Sequence, residues 1–241
     1  MILHFNIVSL NNKEYILKDV SDYTAEELKG MRGSLTKREK EKIDRQNTTT
    51  RKNSIILSRH LLKNSISNVL KTNSDDIEIL NKENITGKPF VLNQGVSTNL
   101  DVSISYCYPL VGVIFSDSNV KVGIDIENIF SNSSDLFLHF SFSTKEIEYL
   151  SQIYPQQFLD RGYTTLWCIK EAVGKLLGIG LSGNPKGLEV FLISEKEVSV
   201  SFRDDSFKTK LFFKNKKLFL SIRYVDTFCI CYTKVFSQKE K

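Results

Sequence analysis

Two short segments of the chain, 123–127 (GIDIE) and 167–175 (WCIKEAVGK), carry acidic and basic residues that could handle a metal-bound phosphate. Carboxylate oxygens are hard ligands, and Mg²⁺ typically takes one or two of them together with substrate phosphates and water. A nearby lysine supplies a compact positive charge that can bind a phosphate group. Together these residue types indicate a site for a divalent cation and a phosphorylated ligand.

The first segment reads as part of a strand. Residues 120–127 are rich in β-branched residues and alternate in polarity, which is typical of a strand. Side chains two positions apart share a face, so Asp125 and Glu127 point together and need a compensating cation. Gly123 lets backbone or ligand approach closely. The alternative is that this D-x-E is only the solvent face of a half-buried sheet.

The second segment reads as a helix from Arg161 to Leu177. No proline interrupts it, and glycines follow at 178 and 180, where a helix should end. Its apolar residues recur at helical spacing, at Leu166, Ile169, Val173 and Leu176. Glu171 and Lys175 lie four positions apart on one face, where they could supply a third ligand and a phosphate-binding charge. The alternative is an ordinary surface pair that stabilises the helix by roughly 0.2–0.5 kcal/mol.

Taken in order and with their flanks, these motifs resemble those of the Sfp-type 4′-phosphopantetheinyl transferases. That family carries a G-[IV]-D-x-E strand, an F-[ST]-x-x-E helix start and a W-x-x-K-E-[AS]-x-x-K helix. The corresponding segments of this chain are 123–127, 142–146 and 167–175, with a G-K-P segment at 87–89 and a G-L-S segment at 180–182. The likeness covers most of the chain.

The resemblance implies an α+β fold built from two similar halves in a pseudo-twofold arrangement. The first half, 1–118, would supply contacts to the phosphates and adenine of coenzyme A. The second half, 119–241, would supply the Mg²⁺-binding and catalytic residues. The join would fall near residues 117–119.

The resemblance also implies an activity, namely transfer of the 4′-phosphopantetheine arm of coenzyme A to a serine of an acyl or peptidyl carrier protein. Asp125, Glu127 and Glu171 would hold Mg²⁺ on the pyrophosphate of the coenzyme. Glu171, or a water that it orients, would take the serine proton. Lys175 would steady the phosphates and the leaving 3′,5′-ADP.

Four further residues are expected at the coenzyme on the same basis, namely Arg51, Lys88, Ser105 and Tyr106. The family usually has S-H-S where this chain has residues 105–107 as S-Y-C. Tyr106 can donate one hydrogen bond but carries no positive charge at neutral pH. Either the coenzyme is bound less tightly, or other basic residues hold its phosphate.

Composition and charge limit the kinds of partner and the cellular location that we expect. The chain has 241 residues, a formal net charge of +5 and an apolar fraction that is ordinary for a globular protein. The segment 29–63 is strongly basic, for which a solvated helix face is the common explanation. It lacks aromatic residues to stack bases, so we expect no nucleic-acid partner. An anionic ligand or an acidic protein also fits, and the resemblance implies both, as coenzyme A and a carrier protein.

No apolar run approaches a membrane span and the start lacks the features of a signal peptide, so we expect a cytoplasmic protein. The duplicated length that the resemblance implies favours a monomer.

The four cysteines and three histidines do not form a metal-binding pattern. Only Cys229 and Cys231 are close in sequence, and their spacing in an alternating apolar segment places them on one face of a strand. We therefore expect free buried thiols and no structural zinc.

Two other functions stay open. One is a catalytically weakened relative that only binds coenzyme A or a carrier protein, which the S-Y-C segment suggests. The other is an unrelated Mg²⁺-dependent phosphoesterase, which would need a positioned water and commonly a second metal. The weakened relative is disfavoured because a protein that only binds has little need for all four of Asp125, Glu127, Glu171 and Lys175. The phosphoesterase is disfavoured because the sequence offers no second set of metal ligands.

Overall fold

A computed structural model describes residues 2–7, 15–82, 87–116, 120–131, 133–181, 183–194, 197–202 and 216–237. Within these ranges the α-helices are α1 (Ala25–Gly33), α2 (Lys37–Asp44), α3 (Thr49–Leu70), α4 (Asp135–Ser141), α5 (Thr144–Ile153) and α6 (Leu159–Leu177). The strands are β1 (Ile2–Ile7), β2 (Ile16–Asp19), β3 (Ile77–Asn81), β4 (Pro89–Asn93), β5 (Val96–Ser97), β6 (Asp101–Cys107), β7 (Leu110–Ser116), β8 (Val120–Asn128), β9 (Leu188–Ser194), β10 (Glu197–Phe202), β11 (Lys216–Val225) and β12 (Phe228–Ser237).

The described strands form one large sheet and two small ones. The large sheet has the order β8-β12-β11-β1-β10-β9, and the small sheets have the orders β2-β7-β6 and β3-β4-β5. Helix α3 packs against β3 and β7, whereas α6 packs against β8, β12 and β9. Each long helix therefore covers the strands of its own part of the chain, around a separate hydrophobic core.

A buried ion pair fixes the start of α2 in the first half. Thr36 caps the helix, and the Glu39 carboxylate accepts hydrogen bonds from the Thr36 backbone N–H at 2.9 Å and from the Ile79 N–H at 3.1 Å. Lys63 on α3 donates to Glu39 at 3.4 Å and to the Ser34 carbonyl at 3.2 Å. Every oxygen of this carboxylate is thus occupied by a donor from another element.

The same arrangement recurs in the second half. Ser143 caps α5, and the Glu146 carboxylate accepts from the Ser143 N–H at 2.9 Å and from the Val190 N–H at 2.8 Å. Lys170 on α6 donates to Glu146 at 2.8 Å and to the Ser141 carbonyl at 2.9 Å. In both halves a capped helix, a long helix and a following strand meet at one Glu–Lys pair.

The strand pairings repeat as well. β2 pairs with β7 and β7 with β6, just as β8 pairs with β12 and β12 with β11, all antiparallel. β3 pairs with β4 as β9 pairs with β10. The prediction of an α+β fold with two similar halves is therefore confirmed. The predicted join at residues 117–119 lies outside the described residues, and the division at residue 118 stays a prediction.

Most of the predicted elements are present, with one correction. The strand at 120–127 and the helix at 161–177 are confirmed. The apolar segment 102–115, interrupted near Pro109, predicts a pair of strands, and Ser143 with Glu146 three positions later predicts a capping box at a helix start. Both are confirmed as well.

The alternation of apolar and polar residues over 190–235 predicts an antiparallel meander with turns near 204–205, 214–215 and 226. Its order is wrong, because β1 lies between β10 and β11 and runs parallel to β11. The turn at Asp226 is confirmed, while the other two, and a turn that the asparagines at 11–12 predict, fall outside the described residues.

Among the described helices, none has the length and apolar character to cross a bilayer. Cys168, Cys229 and Cys231 are buried free thiols, and Cys107 is half-buried and also free. The prediction of free buried thiols is thus confirmed for three of the four cysteines.

Candidate functional site

A cleft of about 540 Å³ lies where the two halves meet. It is lined from one side by α2, α3 and β6 and from the other by β8 and α6. All eight residues predicted for the site line this cleft, namely Arg51, Lys88, Ser105, Tyr106, Asp125, Glu127, Glu171 and Lys175. The structure thus brings the predicted residues together, and their individual roles stay predictions.

Gly123 sets how closely α6 approaches β8. A Cβ atom at this position would lie 2.0 Å from the carbonyl oxygen of Ala172 and 2.7 Å from the backbone nitrogen of Leu176. Only glycine therefore permits this contact between strand and helix. The close approach places Glu171 and Lys175 of α6 beside the acidic residues of β8.

Asp125 is the centre of the acidic end of the cleft and is only 3% exposed. Its Oδ1 accepts hydrogen bonds from the ammonium group of Lys175 at 2.6 Å and from the hydroxyl of Ser105 at 2.9 Å. Its Oδ2 is buried and has no hydrogen-bond donor within the described part of the chain. A buried carboxylate oxygen without a donor is costly unless a ligand or cation completes it.

Glu127 lies next to Asp125 on the same face of β8. Burial, together with the charge of Asp125 and a hydrogen bond to it, raises the pKa of Glu127 to about 8. The indole N–H of Trp167 donates to Glu127 at 3.1 Å and works in the opposite direction. Burial and the charge of Asp125 also raise the pKa of Glu171. If all three were ionised, these carboxylates would carry more negative charge than Lys175 neutralises, so the metal-free site keeps a proton at neutral pH.

Lys175 is the cation that partly balances this charge, and its side chain is 28% exposed. Burial alone would lower the pKa of Lys175, but the charge of Asp125 and the hydrogen bond to it outweigh burial and raise the pKa. The ammonium group therefore stays protonated at neutral pH.

The acidic end fits a divalent cation by the chemistry of its donors. Asp125, Glu127 and Glu171 offer only hard oxygen atoms, and one buried oxygen of Asp125 lacks a donor. The described residues nevertheless contain no group of three His, Cys, Asp or Glu side chains already close enough to hold a metal ion. The three predicted ligands share the cleft without forming a closed cluster.

A second part of the cleft, called the basic end here, is formed by cations around Asn81 that sequence reasoning did not single out. Arg59 is only 2% exposed; its NH2 group donates to Oδ1 of Asn81 at 2.8 Å, and its NH1 group has no acceptor among the described residues. Lys42 donates to the same Asn81 oxygen. The only signal in the sequence was the basic run 29–63, which also fits a solvated helix face.

The positive charges of Lys42, Arg51 and Arg59 repel one another. Burial, followed by the charges of Arg59 and Arg51, lowers the pKa of Lys42 to about 8. Buried positive charges without a carboxylate partner are unfavourable unless an anion joins them. This end of the cleft is therefore suited to a phosphate group.

Arg51 and Tyr106 line the same cleft and contact each other. The guanidinium group of Arg51 lies 4.2 Å from the centre of the Tyr106 ring, and the Tyr106 hydroxyl is 2.8 Å from Ser58 Oγ. Lys88 donates instead to Asp101 at 2.8 Å and to the Leu176 carbonyl at 3.0 Å. Of the two cations that the first half was predicted to supply to the coenzyme, Lys88 thus binds groups of the protein itself, whereas Arg51 lines the cleft.

Comparison with known proteins gives one family. The profile of the 4′-phosphopantetheinyl transferase superfamily matches residues 121–240. The L-aminoadipate-semialdehyde dehydrogenase-phosphopantetheinyl transferase of Candida glabrata is 31% identical over 112 residues, which are 45% of this chain and 42% of that protein. The match thus spans less than half of the curated relative.

Two solved structures were also found to be similar. One is a holo-(acyl-carrier-protein) synthase from Bacillus anthracis in complex with CoA (3′,5′-ADP), with 17% identity, a TM-score of 0.38, and coverage of 49% of this chain and 96% of that one. The other is an ACPS-CoA complex from Chronobacterium ammoniagenes, with 18% identity, a TM-score of 0.39, and coverage of 50% and 98%.

Proposed function

The chain belongs to the 4′-phosphopantetheinyl transferase superfamily, and we propose that it transfers the 4′-phosphopantetheine arm of coenzyme A to a serine of an acyl or peptidyl carrier protein. Within the superfamily, we propose the Sfp type, because one chain contains both similar halves. A cytoplasmic monomer is part of this proposal.

The observation that supports the proposal most is the division of one cleft into an acidic and a basic end. The acidic end contains Asp125 and Glu127 beside Lys175, and the basic end contains Lys42 and Arg59. Coenzyme A carries a diphosphate and a separate phosphate monoester, so it presents anionic groups to both ends at once. A phosphoesterase would have no evident use for the second, basic end.

At the acidic end, Asp125, Glu127 and Glu171 would hold Mg²⁺ on the diphosphate. When bound there, the cation neutralises the charge that develops on the phosphoryl oxygens during transfer. Lys175 lies beside Asp125 and would bind the same diphosphate as a second cation.

At the basic end, Lys42, Arg51 and Arg59 would hold the phosphate monoester of the adenosine. The NH1 group of Arg59, which has no acceptor among the described residues, would donate to a phosphate oxygen. Because Tyr106 cannot supply a positive charge, these three residues would take over the charge that the histidine of the S-H-S segment carries in other family members.

The reaction would be a displacement at phosphorus. The carrier serine oxygen forms a new bond to the phosphorus atom next to the pantetheine arm, and the bond from that phosphorus to the bridging oxygen breaks. The electron pair leaves with 3′,5′-ADP, whose charge Lys175 stabilises. Glu171, or a water that it orients, accepts the serine proton.

The direct test is to incubate the protein with coenzyme A, Mg²⁺ and a panel of apo carrier proteins, and to weigh the carriers by mass spectrometry. We expect at least one carrier to gain a phosphopantetheine arm. Asp125→Asn should abolish the gain, because it keeps the size of the side chain and removes its charge. Glu148→Gln, at an exposed position of α5, is the matched control and should keep full activity.

Two other results would redirect the assignment. Coenzyme binding without transfer to any carrier would favour a weakened binding relative. Hydrolysis of the coenzyme without any carrier present would favour a phosphoesterase.

A further inference from the structure

Strands β6 and β8 belong to different sheets and are joined by side chains. Oxygen atoms of three alternate residues on β6 accept hydrogen bonds from three alternate backbone N–H groups on β8, at 2.9–3.2 Å. The pairs are Asp101 with Val122, Ser103 with Ile124, and Ser105 with Ile126. These bonds connect the two halves directly beneath the acidic end of the cleft.

Ser105 differs from Ser103 in its further contacts. Both hydroxyls accept a backbone N–H, but only that of Ser105 also contacts Oδ1 of Asp125 at 2.9 Å and the ammonium group of Lys175 at 3.0 Å. A serine hydroxyl has one proton and two lone pairs. In Ser105 the proton goes to Asp125, and the lone pairs accept from Ile126 and Lys175.

The hydrogen-bonding capacity of Ser105 is therefore used up within the protein. Its side chain is also buried, at 4% exposure. A hydroxyl in this state has no proton or lone pair left for the coenzyme. The coenzyme contact expected of Ser105 from the sequence stays a prediction, and these bonds support a different role.

We propose that Ser105 is a positioning residue that holds Asp125 and Lys175 in place for the cation and the diphosphate, an inference that rests on the proposed function. With Oδ1 of Asp125 occupied by Ser105 and Lys175, only Oδ2 is left to bind a cation. The hydroxyl also fixes where the positive charge of Lys175 lies. Ser105 thus selects which oxygen of Asp125 faces the ligand.

Loss of the hydroxyl should weaken cation binding. Without it, the Asp125 carboxylate can rotate and Lys175 loses one of its acceptors. Oδ2 of Asp125 is then no longer held in the position where it would bind the cation. Residues that orient metal ligands typically change metal affinity about 10- to 100-fold when they are replaced. We expect Ser105→Ala to raise the Kd for Mn²⁺, used as a spectroscopic substitute for Mg²⁺, by about tenfold.

Ser103→Ala is the matched control. It removes the same group and leaves the same kind of buried backbone N–H unpaired. Both variants should therefore lose stability in urea unfolding, and Ser105→Ala should lose more because it also breaks the bonds to Asp125 and Lys175. Mn²⁺ binding is measured by electron paramagnetic resonance without coenzyme or carrier. Ser105→Thr, which keeps the hydroxyl, should restore Mn²⁺ binding in large part.

The outcomes separate this inference from the proposed function. Equal Mn²⁺ affinity in Ser105→Ala and Ser103→Ala would overturn the positioning role and leave the transferase assignment intact. A loss of coenzyme affinity in metal-free Ser105→Ala, with its Mn²⁺ affinity unchanged, would show a direct coenzyme contact and overturn it as well. Weakened Mn²⁺ binding in a protein without transferase activity would support the positioning role and contradict the function. If the wild type binds no Mn²⁺, the positioning role is overturned together with the cation site.

Discussion

The ammonium group of Lys88 lies 2.8 Å from Oδ2 of Asp101, and their side chains are only 13% and 8% exposed. The same ammonium group donates to the Leu176 carbonyl near the end of α6. Asp101 lies on β6 and also accepts a hydrogen bond from the Val122 N–H of β8. The ion pair therefore connects β6 and β8 to α6. Lys88 therefore has a structural role in addition to any contact with the coenzyme.

Lys88→Met should destabilise the protein by about 3 kcal/mol, because it leaves the Asp101 carboxylate buried without its main partner. The measurement is the free energy of unfolding in urea. The matched control is Lys121→Met, which removes the other lysine at Asp101, 3.2 Å away and 44% exposed. An exposed partner of this kind should contribute at most about 1 kcal/mol. A stable Lys88→Met protein that has lost only coenzyme affinity would contradict the structural role.

The basic end predicts a pH dependence of coenzyme binding. The pKa of Lys42 is lowered to about 8, so the ammonium group loses its proton as pH rises through this value. A bound phosphate favours the protonated form and raises this pKa, so binding takes up a proton. Affinity for coenzyme A in metal-free buffer should therefore be constant at neutral pH. Above pH 8 it should fall by up to about tenfold per pH unit.

Lys42→Arg provides the control for this effect. Arginine keeps its charge throughout the range, so the fall above pH 8 should largely disappear in titration calorimetry. Dephospho-coenzyme A, which lacks the phosphate monoester, should bind with a flatter pH profile than coenzyme A in the wild type. An unchanged profile in Lys42→Arg would place the phosphate elsewhere.

Local sequence patterns were sufficient for the elements that carry the acidic end. The alternation at 120–127 predicted β8, and the spacing of apolar residues from Leu166 to Leu176 predicted α6. Their contact depends on Gly123, which the pattern marked as a point of close approach without indicating that the partner is the backbone of α6. Periodicity identifies elements, whereas the partner of each element is decided by tertiary packing.

The basic end was not predictable in the same way. Lys42 lies on a short helix rich in charged residues, and Arg59 lies among the apolar residues of α3, so neither position looks like a ligand site. Arg59 is recognisable only once its burial and its missing acceptor are known. The insertion of β1 between β10 and β11 also joins residues that are far apart in the sequence, and no local pattern records it.

The duplicated Glu–Lys pairs predict how the two halves unfold. Lys63→Met and Lys170→Met each leave a buried glutamate without its cation and should each cost about 3 kcal/mol. The two sites lie in separate cores, so their effects should add in the double variant. Calorimetry should show one transition throughout, because β1 and the β6–β8 bonds join the halves. Two separate transitions, each shifted by one variant only, would show that the halves unfold independently.

The raised pKa of Glu127 predicts that the metal-free protein loses stability as pH rises. Between the unfolded value of 4.5 and about 8, the folded state keeps a proton that the unfolded state has released. The free energy of unfolding should therefore fall across this window by up to about 5 kcal/mol from this group, since each pKa unit corresponds to about 1.4 kcal/mol. Glu127→Gln should reduce the fall and be more stable than the wild type at pH 8.

Adding Mg²⁺ completes this test. The cation compensates the ionised carboxylates, so it should stabilise the wild type most at pH 8 and the Glu127→Gln variant much less. Glu148→Gln, on the exposed face of α5, should follow the wild type in both conditions. If the free energy of unfolding of the metal-free wild type stays constant or rises from pH 5 to 8, the raised pKa of Glu127 is contradicted.

Gly123→Ala should separate the acidic residues of β8 from those of α6. The added methyl group would lie 2.0 Å from the Ala172 carbonyl oxygen and 2.7 Å from the Leu176 backbone nitrogen. Both are backbone atoms, so neither can move aside as a flexible side chain could. Helix α6 must therefore move away from the strand, at a cost of about 3 kcal/mol. Because Lys175 moves with α6, Mn²⁺ affinity should fall together with stability. Gly30→Ala in α1 is the control, since its Cβ meets nothing within 4 Å and alanine should stabilise that helix by roughly 0.5–1 kcal/mol. A Gly123→Ala protein with wild-type stability and Mn²⁺ affinity would show that the contact between β8 and α6 does not set the geometry of the acidic end.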